Sequence, residues 1–142
     1  MPKRLLVAAC AAILLSGCAS DSVAPGIVME GTFSLTSVSG EPLPAVVEEI
    51  SDVSAVRREL LSGSIQFEAD GSYTDVIELR YTQAGVMTTV TDSIEGTYRA
   101  VGTTITFTAS AATYTAIHDL VADRFTTIAG GFALLYTRQA TP

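Results

Sequence analysis

An all-β domain is what this 142-residue sequence predicts, on three observations. From Gly63 onward, short runs rich in Thr, Val, Ile, Phe and Tyr recur between glycine-containing turns. Eighteen threonines lie beyond residue 30, in keeping with the preference of β-branched side chains for extended backbone. Apolar and polar residues alternate along most runs, the two-residue period of a strand with one buried face. Seven or eight consecutive strands with hairpin-length links predict a small antiparallel up-and-down barrel, because closure removes the unpaired edges that invite aggregation. A two-sheet β-sandwich is the alternative, since the same strand count and alternation serve it equally.

Each element has its own warrant. Gly31-Thr32-Phe33, Gly71-Ser72-Tyr73 and Gly96-Thr97-Tyr98 read as strand starts after turns, and their lack of a fixed period argues against a solenoid. Gly40-Glu41-Pro42-Leu43-Pro44 is a loop. Across Ala45–Leu61, Val46, Ile50, Val53, Val56 and Leu60 follow helical spacing, and Glu48, Glu49, Arg57 and Arg58 suit a helix dipole. This segment is therefore expected to be a short helix or irregular lid over one barrel end, although a strand starting near Arg57 would also explain Glu59-Leu60-Leu61. Ile65 and Phe67 share a face, and Asp70-Gly71 supplies the positive φ of a tight hairpin. Tyr73, Ile77, Leu79 and Tyr81 share the next face, and Ala84-Gly85 turns the chain again. Val86, Val90, Ile94 and Tyr98 are expected inward, with Thr89, Thr91, Glu95 and Arg99 outward. Gly102 leads into Ile105 and Phe107; weaker strands follow at about 112–117 and 121–128. Gly130-Gly131 precedes the last strand, Phe132–Arg138, with Phe132, Leu134 and Tyr136 on one side.

The N-terminus carries an address. Lys3 and Arg4 precede an apolar run, Leu5–Leu15, of the length found in secretory signals and too short for the ~20 residues of a spanning helix. Leu15-Ser16-Gly17-Cys18 resembles a bacterial lipoprotein signal, in which the cysteine thiol takes a diacylglycerol and becomes the first mature residue. The resemblance implies a signal peptide at 1–17, a lipidated tether at 18–30 and a β domain at 31–142, with membrane attachment through acyl chains such as palmitate on Cys18. Ala19 follows the cysteine, where inner-membrane retention signals have Asp, which implies the outer membrane, periplasmic side.

Without residues 1–17 the chain holds six arginines and no lysine against fifteen carboxylates, a formal charge of −9. Nucleic-acid binding is driven by counterion release from basic side chains, and this composition excludes it. The same field opposes docking of the protein surface on anionic lipid, leaving attachment to the acyl chains. Cys10 leaves with the signal and the Cys18 sulfur is consumed by lipid, so no disulfide is expected. The core must stabilise the domain unaided, and the ten aromatic residues, all beyond residue 30, are expected to supply most of it.

Taken together, Gly31-x-Phe33, the 40–44 loop, Asp70-Gly71-Ser72-Tyr73, Gly96-Thr97-Tyr98 and Tyr136-Thr137-Arg138 resemble the uncharacterised lipocalin-like lipoproteins of bacterial envelopes. The resemblance covers residues 31–138. It implies that Gly31, Phe33 and Arg138 stand where lipocalins have Gly-x-Trp and an arginine packed on that ring. The chain departs from lipocalins in having no tryptophan, and with the sequence ending at Pro142 the long helix that follows a lipocalin barrel is not expected.

Chemistry-bearing constellations are sparse. His118 is the only histidine, and with Asp119 and Asp123 it lacks the convergent spacing of a zinc or facial-triad iron site. Glu48, Glu49 and Asp52 lack the alternation and glycine of a calcium loop and read as a solvated face. No Gly-x-Ser-x-Gly turn presents a serine nucleophile, and no free thiol remains for covalent catalysis. Ser62-Gly63-Ser64 and Gly130-Gly131 are turn signals, not phosphate cradles. No enzyme activity, metal or cofactor is expected. Two readings compete: a structural or interaction domain of the envelope whose barrel is mostly filled, or a binding or carrier module for a small apolar ligand. Phe67, Tyr73, Tyr81, Tyr98, Phe107 and Tyr136 would fill much of an eight-stranded interior, which favours a filled barrel with any ligand at one end.

Overall fold

The computed structural model describes residues 26–52, 55–110 and 112–140. They form β1 (Gly31–Val38), β2 (Glu41–Pro42), β3 (Ala45–Ile50), β4 (Val56–Phe67), β5 (Ser72–Gln83), β6 (Val86–Val101), β7 (Thr104–Ala109), β8 (Ala112–Asp119), β9 (Arg124–Ala129) and β10 (Phe132–Arg138). Strands β4 to β10 run as an antiparallel meander, and β1 lies between β10 and β4. Eight strands thus close an up-and-down barrel, with β2 and β3 as additions on β1 and β4. The sandwich alternative is excluded by the β1–β4 pairing, which joins the two ends of the sheet. The expected hairpin at Asp70-Gly71 forms with Gly71 at φ 89°, and the Asp70 carboxylate accepts the Ser72 N–H at 2.8 Å.

Two expectations are corrected. Among the described residues of 45–61 there is no helix or lid: β3 and the first half of β4 are antiparallel strands, paired from Ala45↔Leu60 to Ile50↔Val56, and β4 starts at Val56, as the alternative of a strand near Arg57 has it. The helical spacing was a coincidence of β-branched residues, because Val46 and Ile50 are exposed while Ala45 and Leu60 are buried; Val53 lies outside the described residues. The second correction concerns Val86, Val90 and Ile94, which share the face of Tyr98 but are 68, 37 and 44% exposed. Strand β6 has sixteen residues, whereas β7 has six and pairs only with Thr97–Val101. The outer two-thirds of β6 therefore stands beyond the barrel wall, beside the outer half of β5. Gly96 marks the departure, since a Cβ there would lie 2.3 Å from the Thr108 carbonyl oxygen and 2.8 Å from Tyr73 Cε1.

The barrel floor is packed with rings. Phe33, Phe67, Phe107, Phe125, Tyr73 and Tyr136 are fully buried, together with Ile65 and Ile105. Phe107 stacks on Tyr114 at 4.8 Å between centroids, and Phe125 stacks on Tyr136 at 4.9 Å. Phe67 meets Phe33 edge-on at 5.5 Å and Tyr98 at 4.8 Å. Tyr81 and Tyr98 pack partly buried against this cluster. Each fully buried ring of this kind stabilises the fold by about 1.5–3 kcal/mol relative to exposure.

The floor is capped at one end. The Arg138 guanidinium lies 4.5 Å above the Phe33 ring and donates to the Asp123 carboxylate and the Glu30 carbonyl. Gly31, at φ 99°, leaves the room this needs, because a Cβ there would come 2.9 Å from Arg138 Nη1. Gly31 and Phe33 of β1 thus sit against Arg138 at the end of β10. Of the tether expected at 18–30, Ile27–Met29 docks on this end: the Ile27 N–H donates to the Ala100 carbonyl at 2.7 Å, and Met29 is buried. Residues 1–25, which include the expected signal segment and Cys18, lie outside the described residues. Among the described residues no helix is long and apolar enough to cross a membrane.

Candidate functional site

Opposite the capped end the barrel flares. β1 and β4 pair only from Gly31↔Phe67 to Ser34↔Ser64; beyond that point β1 pairs with β2, and β4 pairs with β3. Bulges between Leu35 and Ser37 and between Leu60 and Ser62 accompany the split. The separated strands and the β9–β10 hairpin surround an open cavity of about 410 Å³. Val47, Leu60, Ile77, Leu79, Phe132 and Leu134 give it an apolar lining, and Glu48 and Arg58 stand on the same wall. Strand alternation explains the lining, since Ile77 and Leu79 continue the inner face that Tyr73 begins, with Leu79 directly opposite Leu60.

Arg58 is the cationic group of this mouth. Its guanidinium lies 4.9 Å from the Tyr81 ring centroid and 3.3 Å from the Glu48 carboxylate. Its Nε is buried and has no hydrogen-bond partner. Deeper on the same face of β5 sits Asp75, whose Oδ1 is likewise buried without a partner. Burial disfavours the charged carboxylate and pushes its pKa up to about 6. Tyr114 and Tyr136 sense the Asp75 charge, and their phenols are shifted upward, chiefly by burial. The Tyr114 hydroxyl donates to the Tyr73 hydroxyl at 3.2 Å, joining this polar layer to the aromatic floor.

The residues singled out in the sequence fall elsewhere. His118 is buried near the capped end, edge-on to Phe33, with neither ring nitrogen hydrogen-bonded and Nε2 3.7 Å from Asp123. Asp123 is engaged by Arg138, whereas Asp119 accepts the Val121 and Ala122 N–H groups at 3.1 Å each and pairs with Arg124. These bonds, the Ala122 one first, hold the Asp119 carboxyl below its usual range. His118, Asp119 and Asp123 therefore do not converge. Glu48 faces Arg58, while Glu49 and Asp52 are exposed. Among the described residues no three His, Cys, Asp or Glu are grouped to hold a metal ion.

Sequence reasoning missed three residues of consequence. Arg58 was read as a helix-end charge, although the alternation Arg58-x-Leu60 places both on one strand face. Glu59, on the opposite face, is 8% exposed and bonded to Arg80 at 2.7 Å and Arg57 at 3.2 Å. The Arg80 hydrogen bond is the main cause that lowers its pKa. Phe125 carries the floor of β9, yet it stands among polar neighbours, Arg124, Thr126 and Thr127. Comparisons with protein families, with curated proteins and with solved structures found no match.

Proposed function

We propose that this chain is a non-enzymatic, lipid-anchored module of the bacterial envelope that binds a small amphipathic ligand in the flared mouth of its barrel. The observation that carries the reading is the contrast between a floor filled by aromatic rings and an apolar cavity of about 410 Å³ above it. Sites that bury small ligands usually run to about 300–1,000 Å³ and combine an apolar lining with a few polar groups. Arg58 Nε, buried and unpartnered, suits a carboxylate or another anionic head, with the apolar body lying against Leu60, Leu79 and Leu134. The filled floor limits the ligand to the mouth.

The lipid supports a direction. The chain reaches the barrel at the capped end, through Ile27 and Met29, so acyl chains on Cys18 would hold the mouth away from the membrane. Titration of residues 19–142 with a fluorescent fatty-acid carboxylate should give saturable one-to-one binding at micromolar affinity, lost in Leu79→Trp. A lack of saturable binding refutes the carrier reading and leaves an interaction domain. Separately, a bacterial host fed radiolabelled fatty acid should label the full chain but not Cys18→Ser; equal labelling of the two refutes the anchor.

A further inference from the structure

From Val86 to Gly96 the side of β6 away from β5 has no partner strand among the described residues. An edge of this length, exposed on both faces and carrying Val86, Met87, Val90 and Ile94, is a template for another strand. We infer that it pairs with the same edge of a second copy, antiparallel about a two-fold axis at Val90. In that register Val86 faces Ile94 of the other copy, Met87 faces Ser93, Thr88 faces Asp92, Thr89 faces Thr91, and Val90 faces itself. Val86 with Ile94 and Val90 with itself make apolar pairs on the inner face, Thr88 meets a carboxylate and Thr89 a hydroxyl, Met87 meets the Ser93 hydroxyl, and no charge opposes a like charge.

The neighbouring registers are worse, which is what fixes this one. Moving the axis to Thr89 sets Val86 against Asp92, and moving it to Thr91 sets Met87 against Glu95. Moving it to Asp92 stacks that carboxylate on its own copy, an unfavourable contact in a chain of formal charge −7. The length also fits. Pairing over residues 86–94 ends at the Ala84-Gly85 turn of one copy, just short of Thr97, where β7 takes over the edge of the other. The result is one continuous sheet in which β3, β4, β5 and β6 of each copy meet at the axis. An isologous interface of this kind closes as a dimer and leaves neither β6 edge open to a third chain.

The full chain, expressed in a bacterial host with a photo-crosslinking amino acid at Val90, should give a single covalent product of twice the monomer mass. The same group at Val121, 98% exposed on the hairpin at the capped end, should not. Val90→Lys places two cations at the axis on an exposed position. The purified, detergent-solubilised chain should then lose its dimer in sedimentation while keeping its β-type circular dichroism. The inference fails if Val90 crosslinks only to other proteins or not at all. It fails equally if Val121 crosslinks as well as Val90, or if folded Val90→Lys remains dimeric. None of these readouts depends on ligand in the mouth.

Discussion

The two halves of β5 and β6 obey the same alternation and end in opposite environments. In the barrel half, Tyr73 of β5 is 1% exposed and Ala100 of β6 is 2% exposed. In the outer half, Leu79 lies opposite Val90, and while Leu79 is buried against the mouth, Val90 and its neighbours face solvent. The difference is one of partners, not of residue type. Where β7 completes the wall, inward residues become core; where it stops, the same pattern becomes a cavity lining on β5 and an open edge on β6. Stability should therefore reside in the floor, and binding and association in the flare.

The largest expected effect tests the floor. Phe107→Ala and Phe125→Ala should each cost about 3–5 kcal/mol in chemical denaturation, the usual range for aromatic truncation in a packed core. A loss below roughly 1 kcal/mol, typical of mild surface changes, would move the core elsewhere.

Asp75 sharpens the boundary between floor and mouth. Its folded pKa of about 6 stands above that of an unfolded aspartate, so the folded state binds the extra proton. Stability from this group is fully present below about pH 4, lost as pH rises through about 6, and at neutral pH the cost reaches about 3 kcal/mol at 1.36 kcal/mol per pH unit. Asp75→Asn should raise the denaturation midpoint at pH 7.5 and remove the slope between pH 4 and 6. Glu59, Asp70 and Asp119 have lowered pKa values, and their contributions decline only at more acid pH. An unchanged midpoint at pH 7.5 would place Asp75 in water.

Smaller effects are expected in the flare. Arg58→Ala should weaken a carboxylate probe about tenfold, since a hydrogen bond to a charged group contributes ~1.5–3 kcal/mol and tenfold is 1.4. Binding of the matching uncharged alcohol should hardly change; an equal loss for both would make Arg58 a packing residue. Smallest of all, Ile128→Thr, 64% exposed on the outer face of β9, should alter unfolding free energy by no more than about 0.5 kcal/mol. A larger loss would mean that this part of the strand is covered.

Much of the wall was legible because its signals are local. Gly71, Gly85, Gly102, Gly130 and Gly131 all adopt the positive φ angles that glycine permits, and the inward residues of β7 and β10 are those that alternation marks. What was not legible is set by pairing over distance. Nothing local tells Val46 and Ile50 that they form an added strand against β4, or tells Val86–Ile94 that β7 ends ten residues too soon to bury them. Phe125 escaped because β9 shows one large apolar residue on its inner face, a pattern too short to stand out. The mouth was missed for the same reason: Arg58 and Leu60 become its wall only once β1 and β4 part.

The seam between β1 and its neighbours also orders events in time. Hairpins from β4 to β10 close over a few residues each, but β1 reaches β10 across about a hundred, as the bond between Gln139 and Ser34 illustrates. Closure entropy grows with that separation, and distant pairings slow folding. β1 can meet β4 across 30–36 residues, so the seam with β10 is the pairing expected to form last, and until it closes Phe33 is left without the Phe125 ring and its arginine cap. A chain secured to a surface by the residues just before β1 would carry out this final step at the very point of attachment.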